Sequence, residues 1–513
     1  MTPPCDVLVV GAGPTGLTAA LQAHAHGAHV RVVERRTDPF RPSRAMILHP
    51  RTLECLRPLG VTDDLLDRGD TAPSAELHLG RHVVKAQLAE LDMPETAFPH
   101  LTMLRQMDVE EVLARTLEKR GVPVERGTEL LDAASEPEDM RVVLRSDGEV
   151  QETTARFVAG CDGPASTVRG LAGIGWKGGP YREEVVLADL EIEGLAPGRL
   201  HVVAGREGLV FVFALGEGAT WRLLATRPRR QSDVPFGQPG EHVPESDVRA
   251  LLESAGLGAT VTDVTWSAAV RLQHRLADAF HADRLFLAGD AAHAHSPAAA
   301  QGMNTGIIDG VNLGWKLAFA ARHPEGGVAD LLASYEQERR PVARQVLALT
   351  HVVFFAEAST NPLPALLRGT LVPLVAPAMP LVLKQRWLLA QVVRVLSQGW
   401  VRYRHSPLSV EGTPALRGWP RPGDRLPDQP IRYDGRPGRL HDLTAHPGVQ
   451  VLLERDAADL DARLLGDHVS VHRLADRPGQ GIVAVRPDGH VGFRCGEADP
   501  AQLGAWLDLV GAR

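Results

Sequence analysis

The chain has 513 residues, of which 44% are hydrophobic and 23% are charged, and its formal net charge at pH 7 is -8. This length exceeds what one hydrophobic core usually supports, so we expect two or three domains, and the composition excludes a disordered or fibrous protein. The acidic balance, without a cluster of Lys and Arg, argues against a nucleic-acid partner.

The N-terminal segment predicts a dinucleotide-binding βαβ unit. An apolar run over residues 7–10 indicates a parallel strand that is buried on both faces, and Gly11-Ala-Gly-Pro-Thr-Gly16 follows it at once. A helical stretch over 17–26 and a second strand over 30–33 lead to Glu34. This order of strand, glycines, helix, strand and acid supplies the context that a lone GxGxxG motif lacks.

Each part of this unit has a physical task. Gly11 permits the tight turn, Gly13 lets the backbone approach a pyrophosphate, and Gly16 lets the helix pack close to the sheet. The helix N-terminus offers N–H groups and a positive dipole end to the phosphates. Glu34 can accept hydrogen bonds from both ribose hydroxyls of an adenosine, although the glycines alone do not separate FAD from NAD.

Two later segments, 157–169 and 284–306, carry further site signals. The first contains Asp162-Gly163, and the residues alone allow this carboxylate merely to cap the helix that contains residues 166–169. The second contains a strand over 285–288 that ends in Gly289-Asp290, which places an acid at the carboxyl end of a sheet strand, where ligands bind in α/β folds.

A helix begins at Gln301 and carries apolar residues four apart, which predicts a buried stripe. The stripe consists of Ile307, Val311, Trp315 and Phe319. Asp309, Asn312 and Lys316 lie on the opposing face and could be plain solvated residues.

Strand patterns alternate with these segments. Runs over 185–192, 199–203, 209–215 and 220–226 predict a sheet, and an apolar helical region follows over 352–403. That helical region either closes a cavity or only forms a packing layer. After a Pro/Gly-rich linker at 417–428, the pattern β-α-β-β-α predicts a third domain whose hairpin turns at Asp488-Gly489.

These segments resemble the fingerprints of the flavin-dependent aromatic hydroxylases, the class A monooxygenases typified by para-hydroxybenzoate hydroxylase. The resemblance is closest to the phenol and polyketide hydroxylases of antibiotic pathways. Ser43-Arg44-Ala45, 51–54 and 104–106 match further family positions, and the ordered motifs cover the chain up to about residue 350.

The resemblance implies an α/β fold with α+β elements and the following division of the chain. A discontinuous FAD-binding, Rossmann-like domain comprises 1–175 and 272–350, and a substrate-binding sheet domain comprises 176–271. A helical segment over 351–415 covers the substrate cavity, and a thioredoxin-like C-terminal domain comprises 416–513. This last domain lacks a CxxC motif and cannot perform dithiol chemistry, so we expect a structural role, as in the contact of a homodimer.

The resemblance also implies the chemistry. FAD is the cofactor, NADPH or NADH is a transient co-substrate, and one oxygen atom of O2 passes from a C4a-hydroperoxyflavin to an aromatic, polyketide-like small molecule. Two alternatives stay open: a Baeyer–Villiger oxygenase that acts on a polycyclic ketone, and a flavin-binding protein that does not oxygenate.

The implied site residues are close to the flavin, and Arg44 and Pro297 are the catalytic candidates. The predicted cofactor-binding residues are Gly11, Gly13, Pro14, Thr15, Gly16, Glu34, Arg35, Arg44, Arg105, Asp162, Asp290, Pro297, Gly302, Met303 and Asn304. Without the resemblance, Arg44 and Arg105 could be surface charges. Ala299 and Ala300 stand where many relatives carry two glycines, and their methyl groups should stiffen the loop beside the flavin.

Cysteine, histidine and apolar patterns bound the remaining options. The four cysteines are far apart and form no CxxC pair, which favours a reducing compartment, and the 21 histidines form no helix-spaced metal motif, so no metal is assigned. The longest apolar stretch, 371–383, is broken by prolines and is too short to span a bilayer. We expect a cytoplasmic protein that has no membrane partner.

Overall fold

The computed structural model of the chain describes its elements over the following ranges. The described residues are 4–38, 45–79, 82–196, 198–205, 208–214, 220–230, 236, 240–297, 300–323, 327–358, 366, 370, 376–379, 381, 385–433, 436–461 and 465–513. The strands are β1 Cys5–Val10, β2 Val30–Glu34, β3 Ile47–Leu48, β4 Ser74–Leu79, β5 His82–Gln87, β6 Thr102–Met103, β7 Val124–Arg126, β8 Thr128–Ser135, β9 Met140–Ser146, β10 Glu149–Gly160, β11 Trp176–Glu193, β12 Arg199–Gly205, β13 Gly208–Ala214, β14 Thr220–Pro228, β15 Thr260–Ala277, β16 His281–Ala282, β17 Leu285–Leu287, β18 His293–Ala294, β19 Val410–Glu411, β20 Pro430–Tyr433, β21 Arg436–Arg439, β22 Val449–Glu454, β23 Val469–Leu474, β24 Ile482–Val485 and β25 Val491–Cys495. The α-helices are α1 Pro14–Ala25, α2 Pro50–Leu56, α3 Thr62–Arg68, α4 Gln106–Lys119, α5 Thr167–Leu171, α6 Glu245–Ser254, α7 Gln301–Ala321, α8 Ala329–Ala358, α9 Arg386–Leu396, α10 Leu440–Leu443 and α11 Pro500–Leu509.

The first sheet contains the predicted βαβ unit. Its strand order is β16-β17-β10-β1-β2-β7, with β8 and β9 attached to β10 as antiparallel strands. From β17 to β7 the neighbouring strands are parallel, so the carboxyl ends of β1, β10 and β17 lie at one edge. The residues that follow these strands are those of the sequence motifs, which this topology brings together.

Helix α7 packs directly against α1 because glycines recur every four residues along one of its faces. A Cβ atom on Gly310 would lie 2.6 Å from the carbonyl oxygen of Thr15, and one on Gly314 would lie 2.5 Å from that of Ala19. Side chains at these positions would therefore push the two helices apart. This close packing connects the glycine turn after β1 with the segment after β18.

The remainder of α7 is buried as well. The predicted stripe is confirmed, because Ile307, Val311, Trp315 and Phe319 are each at most 1% exposed. The solvated interpretation of Asp309, Asn312 and Lys316 is wrong, because each of them is also at most 1% exposed. Asn312 and Lys316 both donate hydrogen bonds to Glu338 of α8, at 2.8 and 2.7 Å. The helix is polar on this face because it packs against other charged elements and not because it meets water.

The second sheet has the order β18-β15-β11-β14-β13-β12-β4-β5, and β11 to β14 confirm the four strands predicted over 185–226. Three of its strands, β4, β5 and β18, lie outside the predicted domain range 176–271. β4 and β5 come from within 1–175, yet β4 pairs in parallel with β12. Pairing with β4 covers the backbone edge that β12 would otherwise expose, and this explains why the chain crosses between the sheets here.

The C-terminal sheet has the order β19-β25-β24-β22-β23, in which β22 and β23 are parallel and β24 and β25 form a hairpin. This is the arrangement of a thioredoxin-like domain, and the hairpin turns at Asp488-Gly489 as predicted, with Gly489 at φ +76°. The helix predicted between β22 and β23 is not seen over 455–461.

Cys495 and the other three cysteines are free and buried. Among the described residues, no helix combines the length and the apolar character needed to cross a bilayer.

Buried carboxylates join the C-terminal domain to the rest of the chain. Glu54 of α2 accepts a 2.8 Å hydrogen bond from Arg425, and Glu338 accepts two of 2.7 Å from Arg486. Burial alone would raise the pKa of Glu54 and of Glu338, but Arg425 and Arg486 respectively outweigh it and lower each pKa to about 2.

We expect these contacts to weaken in acid. Because both pKa values are lowered on folding from 4.5 to about 2, each carboxylate contributes stability above pH 4.5 that is lost as the pH falls towards 2. The loss is on the order of 3 kcal/mol for each group. The melting temperature should fall less steeply between pH 4.5 and 2 for Glu54→Gln than for the wild type. An equally steep fall in both proteins would contradict a lowered pKa at Glu54.

Candidate active site

One cavity at the carboxyl edge of the first sheet collects residues from all of the predicted cofactor segments. The predicted residues that line it are Gly11, Gly13, Pro14, Thr15, Glu34, Arg35, Asp162, Asp290, Pro297, Gly302 and Met303. They come from the turn after β1, the end of β2, the turn after β10 and the segment between β17 and α7. The sequence separates these segments by up to 290 positions, and the parallel topology alone makes them neighbours.

The turn after β1 admits only glycine at two positions. Gly11 has φ +103°, and a Cβ atom there would lie 2.4 Å from the carbonyl oxygen of Cys161. Gly16 lies behind the turn, where a Cβ atom would come within 1.9 Å of the Gly11 carbonyl oxygen. The backbone of the turn is therefore held close to both β10 and α1, and it leaves the cavity side open for a ligand.

Glu34 is held by the backbone of the turn that it faces. Its Oε2 accepts a 2.9 Å hydrogen bond from the amide of Ala12, and its Oε1 accepts one of 3.1 Å from the amide of Arg36. The carboxylate thus has one orientation at the cavity.

The N-terminus of α1 faces the same cavity. In the part of the chain that the structure describes, no side chain caps α1, so its first N–H groups remain available to phosphate oxygens.

Asp162 uses one carboxylate oxygen within the protein and leaves the other without a partner among the described residues. Its Oδ2 accepts hydrogen bonds from the amides of Thr167 and Val168, at 2.7 and 3.2 Å, and thereby caps α5. Its Oδ1 is buried at the cavity wall and has no hydrogen-bond partner among the described residues. Burial raises the pKa of this carboxyl. An orphaned acceptor in a cavity indicates a ligand that donates to it.

The N-terminus of α7 forms the other end of the cavity. Ala300, Gly302 and Met303 line it, and Ala300 adopts the left-handed conformation, with φ 52° and ψ 35°. The glycine that many relatives carry here would adopt this conformation without strain, so alanine makes the loop stiffer at this position. Ala299 lies outside the described residues. The positive end of the α7 dipole faces the cavity, where it favours a negatively charged ring.

Of the remaining predicted residues, Gly16, Arg105 and Asn304 are described by the structure and do not line the cavity. Arg44 lies outside the described residues. Arg105 forms a bidentate ion pair with Asp108, at 2.7 and 2.9 Å. Asn304 is 1% exposed and accepts hydrogen bonds from the amide of His49 and the hydroxyl of Thr52. Asn304 therefore positions the start of α7 against α2.

A buried chain of polar groups that the sequence analysis missed extends from the cavity into the core. His295 lines the cavity, and its ring is stacked on that of His293 with 6.1 Å between centroids. The Nε2 of His293 lies 2.6 Å from Asp309, which also accepts a 2.6 Å hydrogen bond from Arg339. Burial alone would raise the pKa of Asp309, but Arg339 and His293 lower it. The available signal was the spacing of the two histidines, His293 in β18 and His295 directly after it.

A second group of residues that the sequence did not indicate lies where the second sheet meets α8. Tyr181 of β11, His274 of β15 and His351 of α8 form a triangle with ring centroids 5.0 to 5.6 Å apart. The Tyr181 hydroxyl lies 3.3 Å from Nδ1 of His351, and it also interacts with Ser296, which lines the cavity. The Nδ1 of His274 is buried without a hydrogen-bond partner among the described residues. We call this group the aromatic triangle.

These features fit FAD. The cavity is lined both by a glycine turn suited to a pyrophosphate and by a helix N-terminus suited to an electron-rich ring. Glu34 faces the turn, and the orphaned Asp162 carboxylate oxygen offers a further acceptor. FAD carries a pyrophosphate, hydroxyl donors and such a ring.

Comparisons with known proteins agree with this geometry. Residues 4–350 match the family model described as an FAD binding domain, and residues 419–510 match the model described as the C-terminal domain of aromatic-ring hydroxylases. The 6-methylpretetramide 4-monooxygenase of Streptomyces rimosus is 33% identical over 88% of this chain and 78% of its own. The rifampicin monooxygenase of Streptomyces venezuelae is 33% identical over 95% of this chain and 94% of its own. The solved structure of the anhydrotetracycline hydroxylase OxyS from S. rimosus superimposes with a TM-score of 0.75 at 27% identity, and it covers 99% of both chains.

Proposed function

Since this chain belongs to the FAD-dependent aromatic-ring hydroxylases, we propose that it hydroxylates a polycyclic phenol of the polyketide type, whose hydroxyl group binds at the aromatic triangle. Enzymes of this family are NAD(P)H-consuming monooxygenases. The substrate class is inferred from relatives that act on tetracycline precursors and rifampicin. The position is inferred from the orphaned Nδ1 of His274, whose ring packs against Tyr181, the partner of the cavity-lining Ser296.

The residues that would hold FAD follow from the cavity. We propose that Gly11 and Gly13 border the pyrophosphate, that Glu34 binds the adenosine ribose, and that Asp162 and Asp290 face the polar middle of the cofactor. The other predicted residues that line the cavity and would surround it are Pro14, Thr15, Arg35, Pro297, Gly302 and Met303. Gly16 and Asn304 would support this lining from behind, and contacts of Arg44 and Arg105 with the cofactor stay predictions. When bound, FAD supplies the redox chemistry, because it accepts hydride from NADPH or NADH and activates O2 for transfer of one oxygen atom.

The aromatic triangle has the protonation states that a phenol requires. Burial raises the pKa of Tyr181 to about 12, so its hydroxyl remains a donor at neutral pH. Burial, together with the neighbouring charges of His351 and Arg275, lowers the pKa of His274, which therefore stays neutral and keeps one acceptor nitrogen. A substrate hydroxyl could then donate to an imidazole nitrogen while it accepts from Tyr181. Hydrogen bonding of this kind increases electron density on the ring and orients the carbon to be oxygenated.

We expect His274→Phe to lower kcat/KM for a polycyclic phenol by about tenfold to hundredfold. The ring shape is kept, but one hydrogen bond worth about 1–3 kcal/mol is lost. The corresponding methyl ether cannot donate that hydrogen bond, so its kcat/KM should be nearly the same in wild type and variant. Steady-state kinetics with both substrates would measure the difference.

The matched control is His405→Phe, which makes the same change at an exposed histidine outside the cavity. It should leave both rates as they are in the wild type. An equal loss for the phenol and the methyl ether in His274→Phe would sink the proposed contact, since the variant would then act through packing alone.

Product analysis tests the reaction itself. Incubation with 18O2, NADPH and a polycyclic phenol should give a product that is heavier by one labelled oxygen and carries a new phenolic hydroxyl. A lactone from a ketone substrate would identify Baeyer–Villiger chemistry instead. Bound FAD with no NAD(P)H consumption in the presence of any such substrate would identify a flavin-binding protein that does not oxygenate.

A further inference from the structure

A cluster of possible metal ligands lies on the second sheet, where β4 pairs with β12. Glu76 and His78 are two residues apart and therefore point to the same face of β4. His201 of β12 is directly opposite Glu76 in the parallel register. One ligand atom of each residue lies within 4.8 Å of the others. We call these three residues the β4–β12 cluster.

The distance between the two histidine nitrogens matches that of a tetrahedral metal site. Nε2 of His78 lies 3.3 Å from Nδ1 of His201, and that nitrogen lies 3.6 Å from Oε2 of Glu76. Two nitrogen ligands at the usual Zn–N distance of about 2.0–2.1 Å, in a tetrahedral site, are separated by about 3.3–3.4 Å. The two nitrogens therefore need little movement to share one zinc ion, and a Glu76 oxygen lies within 4.8 Å of both.

The two oxygens of Glu76 serve different partners. Oε1 accepts a 2.6 Å hydrogen bond from Arg199 and lies 3.6 Å from Nζ of Lys85. Oε2, the oxygen that faces His201, is not the atom used by either cation. Arg199 thus orients the carboxylate as an outer partner of a metal ligand does.

We propose that Glu76, His78 and His201 form a binding site for a divalent transition-metal ion of the zinc type, with water completing the coordination. The site is remote in sequence from the cofactor segments and involves none of the residues that line the cavity. Since the ligands come from β4 and β12, a bound ion cross-links β4 to its neighbour in the second sheet. The site is structural in kind, because it stabilises the pairing of the sheet edge.

No metal site was predicted, because sequence motifs indicate only ligands that are near one another in the chain. His78 and His201 are separated by 123 positions, and no sequence spacing predicts that they meet. The parallel pairing of β4 with β12 is what brings them together.

The test is zinc titration of untagged, chelator-treated holoenzyme by calorimetry, with Zn2+ alone as the probe. We expect one site to be lost in His201→Ala, or to bind at least about tenfold more weakly, and the same in His78→Ala. His82→Ala is the matched control, because it removes a histidine from the neighbouring strand β5 and leaves the three ligands in place. Replacement of Zn2+ by Co2+ should give visible absorption of a tetrahedral complex at longer wavelength than the flavin bands.

The readouts separate metal binding from folding. Flavin content should be alike in wild type, His82→Ala and His201→Ala. His201→Ala should melt at a lower temperature even without metal, because it removes a buried ring, but Zn2+ should raise the melting temperature of wild type and His82→Ala only. Equal stoichiometry and affinity in wild type and in both ligand variants would overturn the proposal. So would a wild-type protein whose melting temperature does not respond to Zn2+.

Discussion

The Gly16→Ala protein should be purified without flavin and should bind added FAD at least about 100-fold more weakly than the wild type. A single Cβ atom at this position would come within 1.9 Å of the Gly11 carbonyl oxygen, which belongs to the backbone and cannot move as a side chain can. The turn after β1 would have to shift away from α1, and with it the amides that face the pyrophosphate. A cost of about 3 kcal/mol for that shift corresponds to a 100-fold loss of affinity.

The visible spectrum of the purified protein and a fluorescence titration with FAD measure this effect. Gly170→Ala is the matched control, because a Cβ atom at that exposed position meets no atom within 4 Å. It should retain flavin in full. A yellow Gly16→Ala protein of normal FAD affinity would mean that the turn after β1 does not form the binding surface we assign to it.

Glu338→Gln should cost about 3–5 kcal/mol of stability, the usual result of removing one partner from a buried ion pair. Glu338 is 3% exposed and lies between Lys316 of α7 and Arg486 of the C-terminal domain, both of which are fully buried. The amide has the shape of the carboxylate but no charge, so two cations are left with less compensation. Burial lowers the pKa of Lys316 to about 8, so in the variant this group should release its proton still more readily.

Hydrogen exchange and limited proteolysis would locate the loss in the contact between α8 and the C-terminal sheet. Glu118→Gln, an exposed substitution on α4, makes the same chemical change without buried partners and should melt like the wild type. If Glu338→Gln melted at the same temperature as this control, the buried network would contribute no net stability.

Local patterns predicted the elements that contain the cofactor segments. The βαβ unit, the strand before Asp290 and the buried stripe of α7 all have strong periodicity, and the structure confirms them. β15 was not among the predicted strands. Apolar residues alternate over 266–272, and this alternation was the available signal. The homodimer stays a prediction, and the sequence makes no choice between NADPH and NADH.

Contacts between distant segments were beyond the reach of these patterns. Lys316 and Asp309 were open to a solvated interpretation because their partners, Glu338 and Arg339, lie on another helix. The aromatic triangle draws one residue each from β11, β15 and α8, and none of its members belongs to a local motif. A charge in a sequence does not indicate whether it will meet water or an opposite charge.

The crossing of β4 and β5 into the second sheet has a consequence for the construction of chimaeras. An exchange of 176–271 between two hydroxylases, intended to transfer substrate choice, would separate β12 from the partner strand with which it evolved. The recipient would then have to match a foreign β12 with its own β4, in a parallel register that puts His201 opposite Glu76. A functional exchange unit therefore needs two pieces of chain, the range 176–271 and the hairpin of β4 and β5 that precedes it by almost ninety positions.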